Sequence, residues 1–131
     1  MNDSPAGLCA WLLEKRRSWS DCSGNVESRF SKDDLLTGIS IYWFTQSISS
    51  SVRLYYESRR SSSAFGFREK VTVPTAFAAF PVEIGHPPRE WVERAYNVQR
   101  WTQMPTGGHF AAQEEPELLA QDIREFFRTV R

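Results

Sequence analysis

Hydrophobic and polar positions follow two different periods along this chain. From Pro5 to about Trp19, Leu8, Trp11 and Leu12, with Cys9 beside them, fall on one helical face. Asp3-Ser4-Pro5 supplies the start of that helix, a capping oxygen followed by a proline whose missing amide donor costs nothing there. Glu14, Lys15, Arg16 and Arg17 crowd its end, where cations suit the helix dipole, and the charge run reads as a solvated face. Ser20 to Arg29 is polar, contains Gly24 and Asn25, and reads as a loop. Ser31 opens a second helix, with Asp34 as a capping-box-like partner and Leu35, Leu36, Ile39, Tyr42 and Trp43 as apolar stripes. Ile48, Val52, Tyr55 and Tyr56 carry the helical spacing on to about Glu57, and Ser61 to Glu69 reads as a linker.

Beyond the linker the period changes. Val71 to Phe80 is an apolar run of small and β-branched residues, which predicts a strand buried on both faces of a parallel sheet. Pro74 must then lie near its start or on an unpaired edge, and Pro81 ends it. Pro87 and Pro88 open a helix over roughly Arg89 to Tyr96, and Arg100 to Met104 reads as a second, short strand. A last helix opens at Glu114-Glu115-Pro116 and aligns Leu119, Ile123, Phe126, Phe127 and Val130 on one face. The sequence therefore predicts an α/β chain of two parts: a helical segment over 1–60 and a βαβα unit over 61–131. Handedness of the crossover brings both strand ends to one edge of the sheet, where open parallel sheets place their chemistry.

Composition adds restraint. The 131 residues suit one domain, and Lys plus Arg equals Asp plus Glu at 16 each, so no field favours nucleic acid as a partner. Nine Phe and five Trp in a chain this short predict either a dense core or a face covered by something else. Cys9 and Cys22 have no companion pair of His or Cys, so no metal site is expected, and a reducing, cytoplasmic setting is the default. No basic leader followed by an apolar run opens the chain, and no stretch is long enough to span a bilayer. No cofactor is expected.

The candidate chemistry gathers at Trp101 to Phe110, where Pro105, Gly107 and Gly108 break the second strand and present His109 on a loop. Glu83 stands on the corresponding loop after the first strand. A carboxylate that accepts from one imidazole nitrogen fixes the ring and stabilises the imidazolium formed when the other nitrogen takes a proton, which makes His109 a candidate general base for water. A nucleophile is missing: no Gly-x-Ser-x-Gly elbow occurs, and no Ser or Asp stands on a tight strand-to-helix turn.

These residues resemble a known family. Asp3-Ser4-Pro5-Ala6-Gly7-Leu8, Phe30-Ser31-Lys32-Asp33-Asp34-Leu35-Leu36, Arg53-Leu54-Tyr55-Tyr56-Glu57, Phe80-Pro81-Val82-Glu83 and Gly107-Gly108-His109-Phe110-Ala111-Ala112, with Glu114-Glu115-Pro116-Glu117-Leu118-Leu119-Ala120, are similar to the C-terminal part of microsomal-type epoxide hydrolases. The resemblance runs in order along nearly the whole chain. It implies an α/β-hydrolase fold represented by the end of the helical lid and the last two parallel strands with their helices. It also implies a two-step reaction, in which an aspartate opens the epoxide to an ester and a histidine-activated water cleaves that ester to a diol. By matching motifs His109 is the base, Glu83 its acid partner, and Tyr55 the hydrogen-bond donor to the epoxide oxygen; Tyr56 falls outside the Arg-x-Tyr-x-Glu pattern. The family's nucleophilic aspartate, oxyanion-hole motif and second tyrosine lie upstream of the matched region, and Thr106 stands where family members often carry arginine.

The expected partners are a small-molecule epoxide and water, with an upstream half of the same enzyme as a further candidate. Alone, such a piece is expected to be poorly soluble or to need a partner, and to lack activity. Two other readings remain open here: a non-catalytic interaction domain or relic, and the tail of another α/β-hydrolase such as an esterase.

Overall fold

The computed structural model describes residues 1–60 and 70–130. The expected linker Ser61 to Glu69, and with it the boundary between the two parts, lies outside the described residues.

Helix α1 runs over Pro5–Trp19, and Ser4 caps it by accepting the Gly7 amide at 3.0 Å. Its apolar face is anchored by fully buried Leu8. After α1 the expected loop is more structured than its polarity suggests: Ser20 and Cys22 are buried and Val26–Ser28 form a 3₁₀ turn. Helix α2, Lys32–Thr45, starts as expected, with Ser31 accepting from the Asp34 amide at 3.1 Å and its hydroxyl meeting the Asp34 carboxylate at 2.6 Å. The helical spacing does not continue unbroken to Glu57. Gln46 adopts a left-handed conformation (φ 54°) that closes α2, and a separate helix, α3, spans Ile48–Arg60. Side-chain periodicity survived this break, so the pattern alone concealed it.

Strand β1, Val71–Ala79, and strand β2, Tyr96–Gln103, pair in parallel, with α4, Arg89–Ala95, between them. The second strand begins four residues earlier than expected, because α4 ends at Ala95 and passes directly into extended backbone at Tyr96. Pro74 lies at an irregularity between Val71 and Pro74, where its missing donor is tolerated. No residue of β1 is fully buried and Val73 is 64 % exposed, so within the described residues the strand lacks the cover on both faces that its apolar run suits. After β2 the helical region begins at Ala111 rather than Glu114. A short α5, Ala111–Glu114, precedes α6, Pro116–Thr129, with Pro116 at the first turn. Of the expected apolar face of α6, Phe126 is buried while Ile123, Phe127 and Val130 remain exposed. A part-buried ion pair, Arg100 Nε to Asp122 Oδ1 at 2.7 Å, ties α6 to β2, and Thr102 donates to the same oxygen at 2.7 Å.

Candidate active site

The two strands deliver two loops to one edge of the sheet. Met104 donates its amide to Ala79 at 2.9 Å, and beyond Pro81 and Pro105 the chains meet again through a parallel bridge between Val82 and Gly108. Glu83 and His109 each follow that bridge by one residue. His109 Nδ1 lies 2.7 Å from Glu83 Oε1. The same carboxylate oxygen accepts the Ile84 amide at 2.7 Å, which holds the side chain in place. With Glu83 ionised and acceptor-only, Nδ1 must donate, so in the neutral ring Nε2 is left as the basic nitrogen. Both side chains are about one-third exposed, within reach of water.

The glycine pair explains how the loop gets there. Gly107 has φ 101°, and a Cβ on it would meet the Phe80 ring at 2.8 Å. A Cβ on Gly108 would meet the Trp19 carbonyl oxygen at 2.7 Å and the Val82 carbonyl oxygen at 3.1 Å. Only bare backbone fits between the end of α1 and the segment that follows β1. That close approach lets Trp19 accept the His109 amide at 2.9 Å and set its indole edge against the imidazole, with 5.2 Å between ring centroids and 80° between planes. Phe110 meets the imidazole in the same manner.

Of the residues singled out by sequence, Glu83 and His109 are thus in contact, whereas Tyr55 is hydrogen-bonded to neither. Tyr55 lines a broad cleft with Trp11, Lys15 and Trp19, the last of which packs against His109. Tyr56 lines the same cleft and is equally exposed, with the Arg60 guanidinium 4.4 Å above its ring.

A layer of polar residues behind the loop was not foreseen. Asp21 accepts the Gly107 amide at 3.0 Å, and Arg29 binds Asp21 and, at 2.6 Å, Glu115. Thr106 also donates to Glu115. The hydrogen bond to Glu115 raises the Arg29 pKa above its ordinary value. Arg16, expected on a solvated face, instead lies over the rings of Phe110 at 4.0 Å and Phe30 at 5.0 Å and donates to Gln113. Burial pushes its pKa down, opposed by the nearby charge of Glu114. Asp21 and Arg29 sit in a polar stretch with no period, so no local pattern marked them.

Comparison with known proteins bears on what such a site does. No family model matches the chain. It is 50 % identical over 135 residues to epoxide hydrolase 1 of Oryctolagus cuniculus, a match covering 96 % of this chain and 30 % of that protein. Its backbone resembles the crystal structure of juvenile hormone epoxide hydrolase from Bombyx mori, with a TM-score of 0.86 and 35 % identity, over 98 % of this chain and 34 % of that one. Aspergillus niger epoxide hydrolase is similar at a TM-score of 0.80 and 29 % identity, over 99 % and 31 %. The chain spans about 30 % of the length of the curated relatives it matches. In sequence along its length and in the path of its backbone, this chain is similar to about a third of the length of epoxide hydrolases of the α/β-hydrolase fold.

Proposed function

We propose that this chain is the water-activating, C-terminal part of an epoxide hydrolase, with His109 as general base, Glu83 as its orienting acid and Tyr55 as a hydrogen-bond donor to the epoxide oxygen. The observation that carries the reading is the 2.7 Å contact of His109 Nδ1 with Glu83 on neighbouring parallel strand ends, in a chain of this kinship. A carboxylate from an upstream segment attacks an epoxide carbon, the C–O bond breaks, and the oxygen takes a proton with Tyr55 assisting, leaving a hydroxyalkyl ester. His109 Nε2 then removes a proton from water, and the hydroxide adds to the ester carbonyl. Collapse of that adduct expels the diol oxygen, which takes the proton back from the imidazolium; the nucleophile leaves as a carboxylic acid, and its ionisation returns the proton that the epoxide oxygen took up and restores the carboxylate. Glu83 stabilises the cation while it exists. On this reading the chain by itself forms no ester and turns over no epoxide.

The test is co-expression with the upstream portion of a relative that carries the nucleophile, followed by assay of diol from an aryl epoxide. Diol formation is expected, and His109→Ala is expected to stop at the ester, visible by mass spectrometry as the enzyme plus one epoxide. Glu83→Gln keeps an acceptor but not the charge, and a loss of about 10²-fold or more in ester hydrolysis is expected. Tyr55→Phe should slow ester formation while Tyr56→Phe does not; equal effects of the two would remove Tyr55 from its role. A folded, assembled pair that never forms ester or diol overturns the catalytic reading. The exposed apolar residues of α2 favour a second reading, a non-catalytic interaction domain, which a complex unaffected by His109→Ala and lacking turnover would support.

A further inference from the structure

Glu114 is buried, 7 % exposed, and takes no part in the chemistry just described. Both of its carboxylate oxygens are committed to backbone amides: Oε1 accepts from Phe110 at 2.9 Å and Oε2 from Asp21 at 2.7 Å. Phe110 follows His109 directly. The amide of His109 itself is held by the Trp19 carbonyl, two residues before Asp21. The peptide planes on either side of the His109 Cα are therefore fixed to the same stretch of chain, one by a carbonyl and the other by this single side chain.

We infer that Glu114 is a positioning residue for His109: it bolts the Phe110 amide to the exit of α1 and so keeps the imidazole in register with Glu83. The inference rests on the catalytic reading above for its consequence but not for its geometry. Only a carboxylate suits the place. It offers two acceptor oxygens and no donor, whereas an amide side chain would turn an NH2 group toward one of the two N–H donors. Its charge acts on both Arg16 and Arg29, while Asp21 and Glu115, which pair with Arg29, are the acidic groups nearby. A buried carboxylate is costly to keep, and a loop that needed only closing could use a neutral side chain.

The chain contains two histidines, His86 and His109, so ring nitrogen NMR of the intact chain reads the site against an internal reference. His109 paired with Glu83 carries its neutral-form proton on Nδ1, a pattern distinct from the Nε2–H tautomer that an unpaired imidazole favours. Glu114→Gln is expected to move the His109 pattern toward the Nε2–H tautomer, with His86 and the far-UV spectrum unchanged. Glu117→Gln, on an exposed position of α6, should change neither. In the co-expressed enzyme, Glu114→Gln should lower the rate of ester hydrolysis by about tenfold or more with KM within about twofold. A folded Glu114→Gln chain whose His109 spectrum matches the parent overturns the proposal. Should that variant not fold, amide exchange in the parent decides: Asp21 and Phe110 are expected to be protected by about 10²-fold relative to Gly85. Exchange at the rate of Gly85 overturns the proposal equally. If the ring spectrum responds but no turnover is ever found, the positioning role stands and the catalytic reading falls.

Discussion

Gly108 is the residue on which the site's geometry is least forgiving. The atoms that a Cβ would strike, Trp19 O, Ser20 Cα and Val82 O, all belong to backbone and cannot turn aside as a side chain would. Gly108→Ala is expected to destabilise the chain by about 1–3 kcal/mol and to loosen the His109 amide bond, measured by urea denaturation and amide exchange. Gly85→Ala, with nothing within 4 Å, should stay within about 0.5 kcal/mol of the parent. Glu83 and His109 were legible in the sequence because prolines and glycines punctuate the strand ends beside them. Trp19, Asp21, Arg29 and Glu114 were not, since their contacts to the loop or its neighbours join residues up to 93 positions apart and leave no local trace. Tyr55 was readable through a motif, yet the fold gives it and Tyr56 similar surroundings, so only substitution separates them.

Helix starts proved the most readable elements, because Ser4 and Ser31 carry the capping oxygen within the local sequence. Helix ends were harder. Gln46 closes α2 in a left-handed conformation that glycine adopts more easily, and it offsets part of that cost by donating its amide group to Trp43 O at 2.7 Å. Gln46→Val, β-branched and without the donor, is expected to lower stability by about 1–2 kcal/mol, whereas Gln46→Gly should leave the melting temperature close to that of the parent. At α6 the apolar face was legible but its anchor was not. Asp122 is buried and holds both Arg100 and Thr102, so Asp122→Ala strands a guanidinium and a hydroxyl at once. Arg100 keeps a side-chain exposure of 35 %, which lets water relieve part of the loss. A destabilisation of about 2–3 kcal/mol is expected by chemical denaturation.

Taken whole, the molecule shows more apolar surface than a self-sufficient domain of its size. Phe44 is 81 % exposed, Ile41 58 % and Leu36 56 %, all on α2, and each strand of the sheet has one edge unpaired among the described residues. The chain by itself is expected to associate and to bind an apolar dye, as seen by sedimentation and fluorescence, with Phe44→Glu shifting it toward monomer. A monomeric, cooperatively unfolding chain that binds no dye would count against that expectation. The docking of α1 on the Gly107–Gly108 turn carries a consequence in time. Bonds that fix the loop around His109 close spans of 86 and 93 residues, and such distant contacts form late because chain entropy opposes them. During refolding, the two strands can be paired and the helices formed while the histidine is still unaimed. On the proposed reading the base is armed last, and a half-folded or clipped chain is expected to hold no poised imidazole.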